Sequence, residues 1–125
     1  GLHTRGFPNL FIISNAQAAF TTNFPHAIDE AAQHIGYIVN QCLSGNISTI
    51  EPSEEAEEAW VQEIISLARL SESFQASCTP GYYNNEGKPN PRSVQNASYG
   101  EGPIPLFKRM KAWREEGGMQ GLELR

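Results

Sequence analysis

The chain has 125 residues, with nine Lys or Arg against fourteen Asp or Glu and a formal net charge of −5. This length suits one domain, and the acidic balance disfavours binding to a nucleic-acid backbone, which needs a clustered basic face. The longest apolar run has four residues, far short of the ~20 that a membrane-spanning helix requires. We therefore expect a cytoplasmic protein with no nucleic-acid or membrane partner.

The first predicted element is a strand at Leu10–Ile13. Its continuous apolar run, bounded by polar turn residues, is typical of a strand buried on both faces in a parallel sheet. The chain offers only two other short strand candidates, Ile47–Ile50 and Gly121–Leu124. The sequence therefore predicts that most of the sheet lies outside this chain.

Two helices are predicted next. From Pro25 to Leu43 apolar residues recur every three or four positions, with Asn23 as N-cap and Gly45-Asn46 as the stop. The second helix begins after the N-cap Ser53. Four glutamates fill its first turns, where the helix dipole favours anions, so they indicate a solvated helix start rather than catalytic acids: Glu54, Glu55, Glu57 and Glu58.

A long loop and a last helix complete the chain. Residues 71–105 lack periodicity and are rich in Pro and Gly, and loops of this length are usually functional or disordered. Three tyrosines favour a functional loop here. Leu106–Glu116 is predicted as a helix that ends at Gly117-Gly118.

No motif in the sequence identifies a catalytic residue or a metal site. The two cysteines indicate ordinary thiols, the three histidines are scattered, and dinucleotide, P-loop and hydrolase fingerprints are missing. One local pattern points to a ligand: the predicted buried strand runs into the polar turn Ser14–Gln17, and a helix starts after Asn23. Helix N-termini at the carboxyl ends of strands suit ligands with anionic or carbonyl oxygens.

Four sequence blocks occur in a recognisable order: Gly6–Phe11, Phe20–Pro25, Glu54–Trp60 and Gly87–Pro89. Together they resemble the C-terminal part of Baeyer–Villiger monooxygenases, flavoproteins that use FAD and NADPH to insert oxygen into ketones. The resemblance implies an α/β fragment of a flavoprotein with two Rossmann-like domains: one buried strand, about three helices and a long loop. Residues 1–45 would close the FAD-binding domain, and residues 46–125 would pack on the FAD and NADP domains.

The resemblance also implies site residues. The cofactor-binding positions would be Gln17, Asn23, Phe24, Tyr82, Tyr83 and Lys88. The substrate-pocket positions would be Phe20, Thr21 and Phe24. Backbone N–H groups of Asn23 and Phe24 would face the carbonyl edge of the flavin, and the loop with Lys88 would approach NADP.

The chain departs from the family pattern at several places. Ser14-Asn15 stands where Gly-Pro is common, and Ser77–Thr79 stands where many members carry a tryptophan that contacts NADP, which makes Tyr82 or Tyr83 a candidate substitute. The dinucleotide fingerprints and the catalytic arginine of the family are not in this chain. We therefore predict that the chain alone is inactive and that the remainder of the monooxygenase is its partner, with a small-molecule ketone as substrate. A related flavin N- or S-oxygenase, or a stand-alone interaction domain, are the alternatives.

Overall fold

The computed structural model describes residues 1–68, 77–81, 84–88 and 93–125. Within these ranges the chain forms three α-helices, a two-stranded sheet and one short 3-10 helix, in agreement with the expected α/β fragment. The helices are α1 Phe24–Ser44, α2 Glu54–Leu67 and α3 Pro103–Glu116, the strands are β1 Ile50–Pro52 and β2 Leu122–Leu124, and the 3-10 helix is Val94–Asn96. Part of the predicted loop 71–105 lies outside the described residues.

The first two helices begin where their caps were predicted. The Asn23 Oδ1 accepts a hydrogen bond from the His26 N–H at 3.3 Å, and the Ser53 Oγ accepts one from the Ala56 N–H at 3.2 Å. Each bond satisfies an N–H group that has no partner inside the helix. α1 ends with Gly45 as its C-cap, also as predicted.

The third helix begins one turn earlier than predicted. The apolar pattern placed its start at Leu106, but the helix begins at Pro103, with Gly102 as N-cap at φ 96°. Proline suits the first position of a helix because its fixed φ is already helical and no N–H is needed there. Gly117, with φ 73°, ends the helix as expected.

The sheet brings distant parts of the chain together. β1 and β2 are antiparallel, with Ile50 opposite Leu124 and Pro52 opposite Leu122. On the other edge of β1, the Asn9 N–H donates to the Ile50 carbonyl at 2.9 Å, and the Asn9 Oδ1 accepts from the Ile50 N–H at 3.0 Å. β2 lies within the predicted strand Gly121–Leu124. β1 overlaps the predicted strand Ile47–Ile50 only at Ile50, where that prediction ended.

The strand expected at Leu10–Ile13 does not form in this chain. The segment has no strand assignment, and Leu10 and Ile13 are 43% and 49% exposed. Two backbone bonds join it to the residues before it, from the Ile12 N–H to the Leu2 carbonyl at 2.9 Å and from the Leu10 N–H to the Phe7 carbonyl at 3.2 Å. A parallel strand needs paired strands at its edges and cover on both faces, and the described residues place no strand beside this segment.

Two hydrophobic clusters form the core. The first joins α2 and α3 to the segments before α1 and α3: Ala19, Ile64, Tyr99, Leu106 and Phe107. The second joins α1 to β1 and the C-terminal turn: Ile38, Ile50 and Met119. Each cluster therefore draws on residues that are far apart in the sequence.

We expect Ile64→Ala to destabilise α2 by about 2–5 kcal/mol, because the side chain is fully buried and its loss leaves a cavity. Ile65→Ala is the matched control, since this neighbour on the same helix is 38% exposed. Amide hydrogen exchange across α2 in the intact protein measures both effects. Equal exchange rates in the two variants would contradict the assignment of Ile64 to the core.

Candidate functional site

A groove of about 1110 Å³ lies between the N-terminal segment and the three helices. Two of the predicted site residues, Gln17 and Phe24, line it. Among the other residues that line it are three that the sequence did not predict as site residues: His3, His34 and Trp60. The groove is therefore the place where the structure gathers part of the predicted site.

The turn that carries Gln17 is fixed by the segment before α3. The Gln17 N–H donates to the Ala97 carbonyl at 2.9 Å, and the Tyr99 N–H donates to the Ala18 carbonyl at 3.0 Å. The Gln17 side chain donates from Nε2 to the Gln95 carbonyl at 2.9 Å. Its backbone lies in the left-handed region, at φ 54°. The Gln17 side-chain amide and these backbone bonds thus hold the turn against the segment before α3.

Two aromatic rings and a capped helix start stand together at the beginning of α1. The Asn23 N–H donates to the Thr21 Oγ1 at 3.2 Å, while the Asn23 Oδ1 caps the helix through His26. Phe20 is 67% exposed and Phe24 46% exposed. Phe24 lines the groove, whereas Phe20 and Thr21 do not. This helix end presents its positive dipole beside exposed apolar rings.

A packed polar cluster supports the wall of the groove. The rings of Trp60 and Tyr99 are stacked with centroids 5.6 Å apart, and the Arg109 guanidinium lies 5.2 Å from the centre of the Trp60 ring. The Tyr99 hydroxyl donates to Glu63 Oε1 at 3.1 Å, and Arg109 also donates to Glu63. Burial raises the pKa of Tyr99, so its hydroxyl stays protonated and able to donate. The cluster thus ties α2 to α3 behind the site.

Lys88 lies apart from the groove, at the end of a tight turn. Its side chain is exposed, its N–H donates to the Asn85 carbonyl at 3.1 Å, and its own carbonyl accepts from the Asn85 Nδ2 at 2.8 Å. Tyr82, Tyr83 and Pro89, which the sequence placed in the same loop, lie outside the described residues. The structure thus leaves their predicted roles as predictions.

His34 is a groove residue that the sequence analysis missed. Its Nδ1 lies 3.4 Å from Arg114 Nη1, and its ring centroid is 4.9 Å from that of Trp113. Burial, with a smaller contribution from the Arg114 charge, lowers the pKa of His34 to about 4. The available signal was its position: α1 carries apolar residues on this face, and a histidine in such a stripe marks a buried polar group.

The described residues contain no group of three or more His, Cys, Asp or Glu placed to hold a metal ion. Cys42 and Cys78 are free thiols, and burial raises the pKa of Cys42. None of the helices in the described ranges is long and apolar enough to cross a membrane.

Comparison with curated proteins gives matches over the whole chain. It is 39% identical over 125 residues to neopentalenolactone D synthase of Streptomyces avermitilis, covering 100% of this chain and 21% of that protein. It is 38% identical to the Baeyer-Villiger monooxygenase peniC of Penicillium patulum, covering 98% of this chain and 20% of that protein. The chain thus spans about one fifth of the length of these relatives. No protein-family model matches it.

Solved structures show the same relation in three dimensions. The polycyclic ketone monooxygenase from Thermothelomyces thermophila superimposes with a TM-score of 0.82 at 27% identity, over 100% of this chain and 20% of the larger one. Cyclohexanone monooxygenase from Rhodococcus sp. Phi1, bound to NADP+, gives a TM-score of 0.77 at 26% identity, over 100% and 22%.

The resemblance inferred from the sequence blocks is therefore confirmed. The chain is similar, in sequence and in fold, to a segment of Baeyer–Villiger and FAD-binding monooxygenases. A C-terminal fragment of such an enzyme fits these matches.

We expect the contact between α1 and α3 to weaken as the pH falls from about 6.5 to about 4. In that range the unfolded chain protonates His34, while burial and Arg114 keep the folded form neutral, so acid favours the unfolded state. His3 and Glu30 also face this region, and Glu30 lies 3.9 Å from Arg114. Above about pH 6.5 His34 adds no pH dependence.

Hydrogen exchange of the α1 amides against pH in the intact protein, with His34→Gln as the control, measures this effect. The variant should lose the part of the pH slope that His34 causes. An NMR titration that placed the His34 pKa at its ordinary value would overturn the assignment.

Proposed function

We propose that this chain is the C-terminal segment of a Baeyer–Villiger-type monooxygenase that uses FAD, NADPH and O2 to convert a ketone into an ester or lactone. The observation that carries the proposal is the match of the whole chain, in sequence and fold, to proteins that are named as ketone and Baeyer-Villiger monooxygenases. Residues 1–45 would close the FAD-binding domain, and residues 46–125 would pack on the FAD and NADP domains.

The residues at the start of α1 fit one edge of a flavin. A helix N-terminus capped by Asn23 favours negative charge or a carbonyl oxygen placed against it, and the backbone N–H of Phe24 lies at this helix end. The chain has no glycine-rich turn for a pyrophosphate, so that part of FAD would be held elsewhere in the complete protein. When bound, FAD would supply the redox chemistry that couples the oxidation of NADPH to the reduction of O2.

This chain's own residues would bind, orient and exclude water. Phe24 lines the groove beside Ile12 and Ile13, and this apolar wall would keep water from the reacting groups. Phe20 and Thr21, close by in the chain, would complete the wall on the ketone side. The exposed ammonium group of Lys88 suits the phosphate groups of NADP.

The alternatives are less well supported. N- or S-oxygenation would use the same cofactors, but the relatives and structures with ketone or Baeyer-Villiger in their names favour oxygen insertion into ketones. An independent interaction domain would not be expected to match one fifth of larger enzymes along its whole length. A cytoplasmic location is part of the proposal, supported by two free cysteines.

The complete protein that carries this chain provides the test. It should purify with FAD and oxidise NADPH in the presence of a cyclic ketone, yielding a lactone, and should show much less product with a tertiary amine or a sulfide. The isolated 125-residue chain should neither retain FAD nor oxidise NADPH. A complete protein that oxygenated only the amine or sulfide would favour the alternative reaction.

Asn23→Ala in the complete protein should cost about 1 kcal/mol of helix-cap stability, because it removes the acceptor for the His26 N–H. It should also lower the FAD content, because the same helix end is proposed to face the flavin. Ser53→Ala removes the equivalent cap of α2 and is the matched control. FAD absorbance per protein measures the result, and equal FAD loss in both variants would contradict the proposal.

Phe24→Ala should change which ketones react, with little change in FAD content. The reason is that the ring lies in the groove at 46% exposure, where truncation enlarges the pocket. We expect the ratio of kcat/KM for a bulky and a small ketone to rise about tenfold. Phe7→Ala, a substitution at another exposed ring, is the control. Release of FAD with an unchanged ratio would show that the pocket assignment is wrong.

A further inference from the structure

Asn84 is a buried polar residue to which the proposed reaction assigns no role. Only 6% of it is exposed, whereas the other described residues of 77–81 and 84–88 are exposed or half-buried. We propose that Asn84 is a positioning residue: it fixes the turn that ends at Lys88 and thereby sets the affinity for the phosphate-bearing dinucleotide. The inference rests on the proposed function and deepens it.

The Asn84 side chain bonds backbone groups on both sides of itself. Its Oδ1 accepts from the Gly81 N–H at 2.8 Å and from the Gly87 N–H at 3.2 Å. Its Nδ2 donates to the Cys78 carbonyl at 3.3 Å and to the Thr79 carbonyl at 3.1 Å. One buried amide thus supplies partners to four backbone groups of an irregular loop.

Only an amide satisfies this set of partners. Two N–H donors face one end of the side chain and two carbonyl acceptors face the other, so the oxygen and nitrogen positions follow from the bonds. The substitution Asn84→Asp would keep the shape and the acceptor end. It would also place a carboxylate oxygen against two carbonyls in a buried site, which is unfavourable.

The backbone after Asn84 needs such support. Asn85, Glu86 and Gly87 all have positive φ, at 51°, 57° and 75°. A Cβ on Gly87 would lie 3.0 Å from the Pro80 Cγ, so the two arms of the turn are in close contact. Residues with side chains rarely adopt this conformation in succession, and the hydrogen bonds of Asn84 compensate for its cost.

Lys88 follows this turn directly. Its N–H and carbonyl both bond Asn85, and its side chain is exposed. A lysine on a mobile segment must lose backbone freedom when it binds a phosphate, whereas a lysine on a fixed turn has already lost it. Asn84 therefore acts on dinucleotide affinity through the position of Lys88 and without a contact of its own.

A double-mutant cycle in the complete, FAD-loaded protein tests this inference. The variants are Asn84→Ala, Lys88→Ala and the double variant, and the measurement is the Kd for NADP+ by titration. Each single substitution should raise the Kd by about tenfold, and the double variant should be no weaker than the weaker single variant, because both remove the same interaction. Additive effects would overturn the proposed link.

Hydrogen exchange gives a second measurement that does not depend on activity. Without NADP+, Asn84→Asp should speed exchange across residues 77–88 by more than about tenfold and leave α1 and α2 unchanged, which also shows that the protein remains folded. Thr79→Asp adds the same charge at an exposed residue of the same segment, which bonds Asn84 through its backbone carbonyl, and should change exchange by less than about threefold. Equal exchange in the two variants would show that Asn84 does not fix the turn.

The two proposals fail in different ways. If the unsubstituted protein lacks FAD or does not consume NADPH, the proposed function is wrong. If it is an active NADPH-dependent monooxygenase and Asn84→Ala binds NADP+ as tightly as the unsubstituted protein, only the positioning role of Asn84 is wrong.

Discussion

The pairing of β1 on both of its edges is the constraint on which the rest of this structure depends. β2 pairs with one edge, and Asn9 bonds both the N–H and the carbonyl of Ile50 on the other. Arg5 adds a side-chain link, because its Nη1 donates to the Pro52 carbonyl at 3.0 Å and to Glu123 at 2.8 Å. The three residues of β1 thus connect the N-terminal segment, the middle of the chain and its C-terminal end. Ile50, the first of the three, is buried.

A second anchor carries that constraint to the site. The backbone around Gln17 and Ala18 bonds the segment that ends at Tyr99, and Tyr99 belongs to the cluster that joins α2 to α3. The start of the turn before α1 is therefore fixed by contacts with residues 95–99, about 80 positions later in the chain. α1 begins a few residues later at Phe24, so the direction of its N-terminus follows from this anchor and from the packing of Ile38.

The features that the sequence predicted correctly depend on neighbours in the sequence. The caps at Asn23 and Ser53 are set within a few residues, and the structure confirms them. The periodic apolar faces are buried only in part: Ile38 and Ile64 lie in the core, but Val39 is 41% exposed. Long-range contacts were not predictable in this way: the Gln17 side chain bonds Gln95, 78 residues away. The strand expected at Leu10–Ile13 was inferred from a pattern that needs partners, and the described chain does not contain them. The early start of α3 was also missed. Its first turn contains Pro103 and Pro105, and proline occurs in loops and turns as well as at the start of helices.

The side chains that this chain exposes, and the cofactor motif that its sequence lacks, indicate its role in the proposed enzyme. Its N-terminal segment and the start of α1 expose large apolar side chains, among them Leu10, Ile13 and Phe24, which is costly in water unless another surface covers them. In the larger enzymes that this chain matches, the similar segment is about one fifth of the length, so about four fifths of those polypeptides lies outside it. In the proposed monooxygenase the contribution of this chain would be geometric, because its sequence has no glycine-rich turn for a pyrophosphate. It would supply a wall, a helix end and a lysine on a fixed turn. Small displacements of such parts would alter which molecules fit and how tightly they bind, while the proposed reaction would depend on groups held elsewhere in the complete protein.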